Sequence, residues 1–165
     1  MDGHDYVVSM SNTTIVADAT LICVRAATAI TSRASILEIL EVRVAQQGVT
    51  VSQNLGILLG QKASAFGTFT SATPSPLQVG GNASGITGST SVAAASAGVD
   101  ASAEGGGAVT NILADSFNVL NGWLYVPVPE ARIMITPDLT FIVKIVGTPG
   151  TLTGWSASLT FREVN

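Results

Sequence analysis

Trp155-Ser156-Ala157-Ser158-Leu159-Thr160-Phe161-Arg162 is the stretch that decides the fold. Trp155, Ala157, Leu159 and Phe161 occupy every second position, and Ser156, Ser158, Thr160 and Arg162 fall between them. Successive side chains of a strand point to opposite faces, so this spacing is that of a strand buried on one side and wetted on the other. The same kind of run recurs upstream. Leu139 to Val146, Arg132 to Thr136, Gly122 to Val128 and Ala108 to Ala114 are rich in apolar and β-branched residues, and turn chemistry separates them at Asn121-Gly122, Thr136-Pro137-Asp138 and Gly147-Thr148-Pro149-Gly150.

The first half repeats the pattern at Tyr6 to Met10, Thr13 to Ala17, Leu21 to Ala26, Val49 to Ser52, Gly56 to Gln61 and Gly67 to Ala72. Ser35 to Gln46 reads two ways. Ile36, Leu37, Leu40 and Val44 would share a helical face, whereas Leu40, Val42 and Val44 alternate with Glu41 and Arg43 as a strand. The β-branched Val42-Arg43-Val44 ending favours a strand, and the turn signal Gln47-Gly48 favours a hairpin into the run that follows. Pro74-Ser75-Pro76 should end the regular region, because two prolines remove backbone donors. About ten short strands with no strongly amphipathic helix imply an all-β chain, an antiparallel β-sandwich or jelly roll.

Length and composition agree. The 165 residues (16.8 kDa) fit a single β domain over 1–165, with residues 1–5 expected as a mobile N-terminal tail. Gln78 to Thr110 holds eight glycines, eight alanines and no Lys or Arg, and is expected to be a long Gly/Ala/Ser-rich loop with at most a short strand at Gly85 to Ser91. Only 11% of the residues are charged against 47% hydrophobic, and mean hydropathy is +0.48, which excludes a charged disordered tail. No run of about 18 apolar residues suggests a membrane-spanning helix. Seven basic residues against eleven acidic give a net charge of −4, and the bases are scattered singly from Arg25 to Arg162, so nucleic acid is not an expected partner. The acidic Met1-Asp2-Gly3-His4-Asp5 start reads as lacking an export signal, and the lone Cys23 in an apolar run reads as a buried thiol in a reducing cytoplasm.

Catalytic and metal-binding patterns are not found. The single histidine, His4, falls in the expected tail, where nothing positions it as a base. One Cys and one His do not make a zinc set. Glu38 with Glu41 should lie on opposite faces of a strand, exposed to solvent, and Asp100 with Glu104 should only solubilise the loop. Gly56-Ile57-Leu58-Leu59-Gly60-Gln61-Lys62-Ala63 lacks the spacing and ending of a phosphate loop, and Gly105-Gly106-Gly107 lacks the dinucleotide pattern. Asn12-Thr13-Thr14 and Asn82-Ala83-Ser84 fit a glycosylation acceptor that carries meaning only with export. The chain is therefore expected not to be an enzyme and to carry no cofactor.

The informative constellation is Asn121-Gly122-Trp123-Leu124-Tyr125-Val126-Pro127-Val128-Pro129-Glu130. Trp123 and Tyr125 share one face of a strand that Pro127 and Pro129 must place at an edge or terminate. Two aromatics on one face fit packing inside the sandwich or a contact between subunits. Trp123, Tyr125, Pro127 and Pro129 are thus the candidate intersubunit residues.

The order of a Thr-rich N-terminal strand, Ile39-Leu40-Glu41-Val42, the Pro74-Ser75-Pro76 break, Asn121-Gly122-Trp123 to Pro129-Glu130 and the final Ala157-Ser158-Leu159-Thr160-Phe161-Arg162-Glu163 resembles small tailed-bacteriophage virion proteins, specifically head decoration or cement proteins. The resemblance spans the chain apart from Gln78 to Thr110, and it rests on structural motifs. It implies a subunit, usually a homotrimer, that sits on the capsid surface of the virion and stabilises the assembled head by bridging major capsid protein subunits. A trimeric head-fibre or receptor-binding β domain is the alternative. The low charge fits assembly independently, since a charge-poor monomer would leave a large weakly polar surface in water.

Overall fold

The computed structural model describes residues 4–28, 34–48, 51–63, 67–91 and 94–164. Thirteen strands occur among them: β1 (His4–Thr13), β2 (Thr20–Arg25), β3 (Ile36–Gln46), β4 (Asn54–Lys62), β5 (Thr68–Ser71), β6 (Ser75–Pro76), β7 (Thr87–Gly88), β8 (Ser96–Ala103), β9 (Thr110–Asn118), β10 (Trp123–Tyr125), β11 (Met134–Ile135), β12 (Thr140–Val146) and β13 (Trp155–Val164). They form two antiparallel sheets packed as a β-sandwich. The first runs β10-β3-β13-β1-β6, with β11 also on β3. The second runs β5-β8-β2-β12-β4-β9, with the short β7 beside β8.

β13 alternates buried and half-buried residues over its whole length, as its spacing requires. It lies in the middle of the first sheet, where Trp155, Leu159 and Phe161 are removed from solvent. They meet Tyr6 and Val8 of β1, Leu37, Ile39, Val42 and Val44 of β3, and the inner face of the second sheet, Ile22, Val24, Ile57, Leu59, Phe141, Val143 and Ile145. Trp155 packs edge-on to Phe117 at 6.5 Å and 86°, and Tyr6 lies 6.0 Å from Phe161. The alternation continues to a buried Glu163, which accepts hydrogen bonds from the Ser84 hydroxyl and the Gly85 amide. That acid clips the segment around Ile86 onto the first sheet.

β3 resolves the helix-or-strand ambiguity. Ile39 pairs with Phe161 and Glu41 with Thr160, so Leu40 is an extra residue, a β-bulge that resets the alternation. The apparent helical face was a strand with one inserted residue. The same bulge puts Glu38 and Glu41 on one face, not the opposite faces that simple alternation implies: both pair with outward residues of β13, Arg162 and Thr160. Glu38 is half-buried and not solvent-exposed as expected, because Arg132 donates to it at 3.1 Å and Arg162 at 3.5 Å.

Other expectations are corrected. His4 and Asp5 are not a tail: they open β1, where His4 pairs with Glu163 and Asp5 with Arg162, whose guanidinium it binds at 2.7 Å. Residues 1–3 lie outside the described residues. Thr14 to Ala17 is not a strand, although Ile15 is buried. Of the expected strand at 49–52, residues 49 and 50 lie outside the described residues, and Val51 and Ser52 belong to no strand. No hairpin joins β3 to β4: β3 pairs with β13, β10 and β11, β4 with β12 and β9, and the chain crosses from one sheet to the other between them. Ser75 and Pro76 do not simply end the regular region, since they form an edge pair with β1.

The largest correction concerns 78–110. Its C-terminal part is not a flexible excursion but contributes β8, which lies between β2 and β5 with Ala97, Val99 and Ala101 buried. Small residues are needed there because the strand is covered on both faces. A Cβ on Gly98 would sit 2.7 Å from the Cβ of Phe69. Of the expected Gly85 to Ser91 strand, only Thr87–Gly88 is regular.

The outer face of the second sheet carries its own small cluster of Cys23, Phe69, Ala101 and Ile142, with Leu58 and Val109 packed against it. Residues 104–109 cross this face as a strap. Val109 lies over Gly60 so closely that a Cβ there would be 2.7 Å from the valine. Burial under this layer pushes the Cys23 thiol far up, which removes the reactive thiolate. Cys23 should accordingly resist a thiol reagent in the native protein and react stoichiometrically in denaturant. Rapid native labelling would show that the strap opens.

Candidate interaction edge

β10 takes the edge position that Pro127 and Pro129 demanded. Trp123, Leu124 and Tyr125 pair with Val44, Arg43 and Val42 of β3, and among the described residues no strand lies beyond them. Trp123 and Tyr125 turn to the same side as the buried Val44 and Val42, and stack at 6.1 Å with their planes 6° apart. Both are half-buried against the core. The aromatic pair thus closes the open side of the sandwich. Desolvation raises the Tyr125 phenol above its ordinary range.

The Trp123 indole Nε1 donates to Asp115 Oδ2 of β9 at 3.0 Å, joining the edge strands of the two sheets. That bond, with the Ser116 amide, holds the Asp115 carboxyl below its usual range. Pro127 is half-buried, and Pro129 is exposed at the start of a short 3-10 turn, Pro129–Ala131. The turn carries the chain to β11, which returns to the same side of β3 at Glu38 and Leu37.

The other side of this segment was not anticipated. Leu124, Val126, Val128 and Met134 are each between 46% and 63% exposed, and Ile112 and Leu120 are exposed as well. Leu124 lies opposite Arg43 and Met134 opposite Glu38, so both ends of the row project on the outer side of the first sheet. Scattered exposed aliphatics need no explanation, but a row of them on an edge marks a contact surface. The available signal was that Trp123-Leu124-Tyr125-Val126-Pro127-Val128 is apolar at odd and even positions alike. An edge segment with one wet face should alternate instead.

The four edges of the sandwich are unequal. β5 has four residues and β6 two, one of them Pro76, and these blunt one side. On the opposite side β10 is three residues long and is followed by two prolines, but β9 has nine residues with no Lys, Arg or Pro. Most of β9 is exposed, and its backbone bonds run to β4.

The carboxylates considered from sequence are engaged elsewhere. Glu41 pairs with Arg43 at 2.5 Å, while Glu104 does not merely solubilise a loop: it accepts from Thr20 at 2.6 Å and from Lys144 at 2.8 Å. Asp100, at φ 53°, is partly desolvated, which raises its carboxyl. Among the described residues, no three His, Cys, Asp or Glu side chains gather as a metal site. In comparisons with known proteins, no family model, no curated protein and no solved structure matches this chain.

Proposed function

We propose that this chain is a non-enzymatic structural subunit that associates with itself and binds the surface of an assembled phage head, stabilising it by bridging major capsid subunits. The observation that carries the reading is the exposed aliphatic row Leu124, Val126, Val128 and Met134 beside an open sheet edge. The sequence resemblance supplies the shell as the partner. The physical logic is mass action: a ligand that binds the assembled shell and not its separated subunits shifts the equilibrium toward the shell. Moderate contacts suffice, because one oligomer gripping several capsid subunits gains from effective concentration.

The receptor-binding alternative needs aromatics displayed at a distal tip. Trp155 is buried and the Trp123 indole is tied to Asp115, so neither is presented in that way.

Two measurements test the proposal. The double variant Leu124→Asp/Val126→Asp should weaken self-association by a factor on the order of 100, given the burial value of two aliphatic side chains and the cost of the new charges. Its folding stability should stay within about 0.5 kcal/mol of the parent, because both positions are exposed. Phage heads carrying the protein should withstand higher temperature than heads without it. Equal heat resistance of the two would end the shell reading.

A further inference from the structure

We infer that β9 is the strand through which two copies of this chain join, antiparallel and about a two-fold axis, so that the second sheet of one protomer continues into that of its partner. This rests on the reading above that the 110–134 side is where subunits meet. It departs from the three-fold symmetry that the resemblance implies.

Unpaired strand edges are templates for another strand, and proteins protect them by shortness, proline, lysine or a bulge. Three of the four edges here are short, and two of those carry or adjoin proline. β9 has only the bulge at Ile112, between the Leu113 and Asn111 pairs with β4. A nine-residue edge needs a partner of similar length. Within a second copy β5, β6 and β10 are too short to offer one, so the matching edge is β9 itself.

An antiparallel strand pairs with its own copy about a two-fold axis, which gives a closed contact. The chemistry of β9 permits it. Its one charged side chain, Asp115, is occupied by Trp123 Nε1 and the Ser116 amide of its own protomer. Ala114 and Ser116 are small and neutral, and both are exposed. Asp115 stays ionised, but a two-fold axis through Ile112, Ala114 or Ser116 sets it opposite a neutral residue of the second copy and not opposite its own counterpart.

The lone native thiol, Cys23, is buried and serves as a silent background for cross-linking. Cysteines are placed singly at Ile112→Cys, Ala114→Cys and Ser116→Cys on β9, with Thr70→Cys on the blunt edge β5 as control. Facing residues of an antiparallel pair have Cα atoms about 4.5–5.5 Å apart, within disulfide reach. Mild oxidation of the full chain should give a linked two-subunit species that peaks at one β9 position and is absent from the Thr70 variant. Lysine substituted at the β9 position that links best should weaken the native two-subunit species at least tenfold, by setting two cations opposite each other.

A three-subunit species that no β9 cysteine links, and that the Leu124→Asp/Val126→Asp variant disperses, overturns the β9 pairing and leaves the proposed function standing. Linked two-subunit species that add no heat resistance to phage heads support the pairing and remove the shell reading. A single 16.8 kDa species throughout overturns both.

Discussion

Replacing Trp155 with alanine is expected to destabilise the protein by about 3–5 kcal/mol, the range for removing a large buried aromatic. Trp155 is fully buried, and it is paired with Gln46 of β3 on one side and Thr13 of β1 on the other. Its loss removes the edge-on contact with Phe117, which ties the first sheet to β9 of the second. It also removes the indole donor to the Thr151 carbonyl at 3.0 Å, a bond that holds the turn before β13. Domain stabilities run to about 5–15 kcal/mol, so the variant should be close to unfolding at ordinary temperature. Trp155→Phe keeps most of the apolar volume and should recover more than half of the loss. Trp123→Ala, at a half-buried position, should cost far less than Trp155→Ala. Urea unfolding followed by circular dichroism gives all three values. A Trp155→Ala cost no larger than that of Trp123→Ala would show that the core is not centred on β13.

The contrast between these two tryptophans bears on what sequence patterning conveys. β13 was legible because it has one dry face and one wet face over its full length, so its chemistry alternates without interruption. β3 was ambiguous because Leu40 is inserted at a bulge, and a phase slip in a period-two pattern imitates a helical repeat. β8 was read as loop because a strand covered on both faces and pressed by Phe69 must be built from Ala and Gly, the residues that otherwise signal flexibility. The edge position of β10 was readable from Pro127 and Pro129, since proline cannot donate to a further strand. Strand partners were not readable: β3 pairs with β13 across most of the chain, and no local signal encodes that choice. At the candidate edge, the row opposite the aromatic pair is apolar on both faces and so carries no alternation to mark it. Apolar residues look alike in sequence whether they face a core or a partner.

Glu104→Gln is expected to cost about 2–3 kcal/mol near neutral pH, less than the figure for breaking a fully buried pair because Glu104 and Lys144 keep some solvent. The outer face of the second sheet gathers Arg25, Lys62 and Lys144, with Glu104 and Asp138 as their carboxylates. Lys62 is 2% exposed and donates to the Glu104 carbonyl at 3.1 Å. Burial pushes the Lys62 ammonium below its ordinary value of 10.5; the Glu104 charge opposes that shift and the Arg25 charge adds to it. A lysine whose value is lower folded than unfolded is held charged at a cost near neutrality. Between its lowered folded value and 10.5 the unfolded chain binds more protons, so folded stability rises with pH across that window. Removing the Glu104 charge lowers the folded value further and opens the window from a lower pH. The deficit of Glu104→Gln relative to the parent should therefore be smaller as pH approaches 10.5 than it is near pH 7, as Lys62 is released from its charge. Cys23, lying under the same strap, should also label faster in this variant, because Thr20 and Lys144 no longer anchor the strap to a carboxylate. An equal deficit at both pH values would mean that Glu104 holds the strap by hydrogen-bond geometry alone, with the cations of the outer face indifferent to its charge.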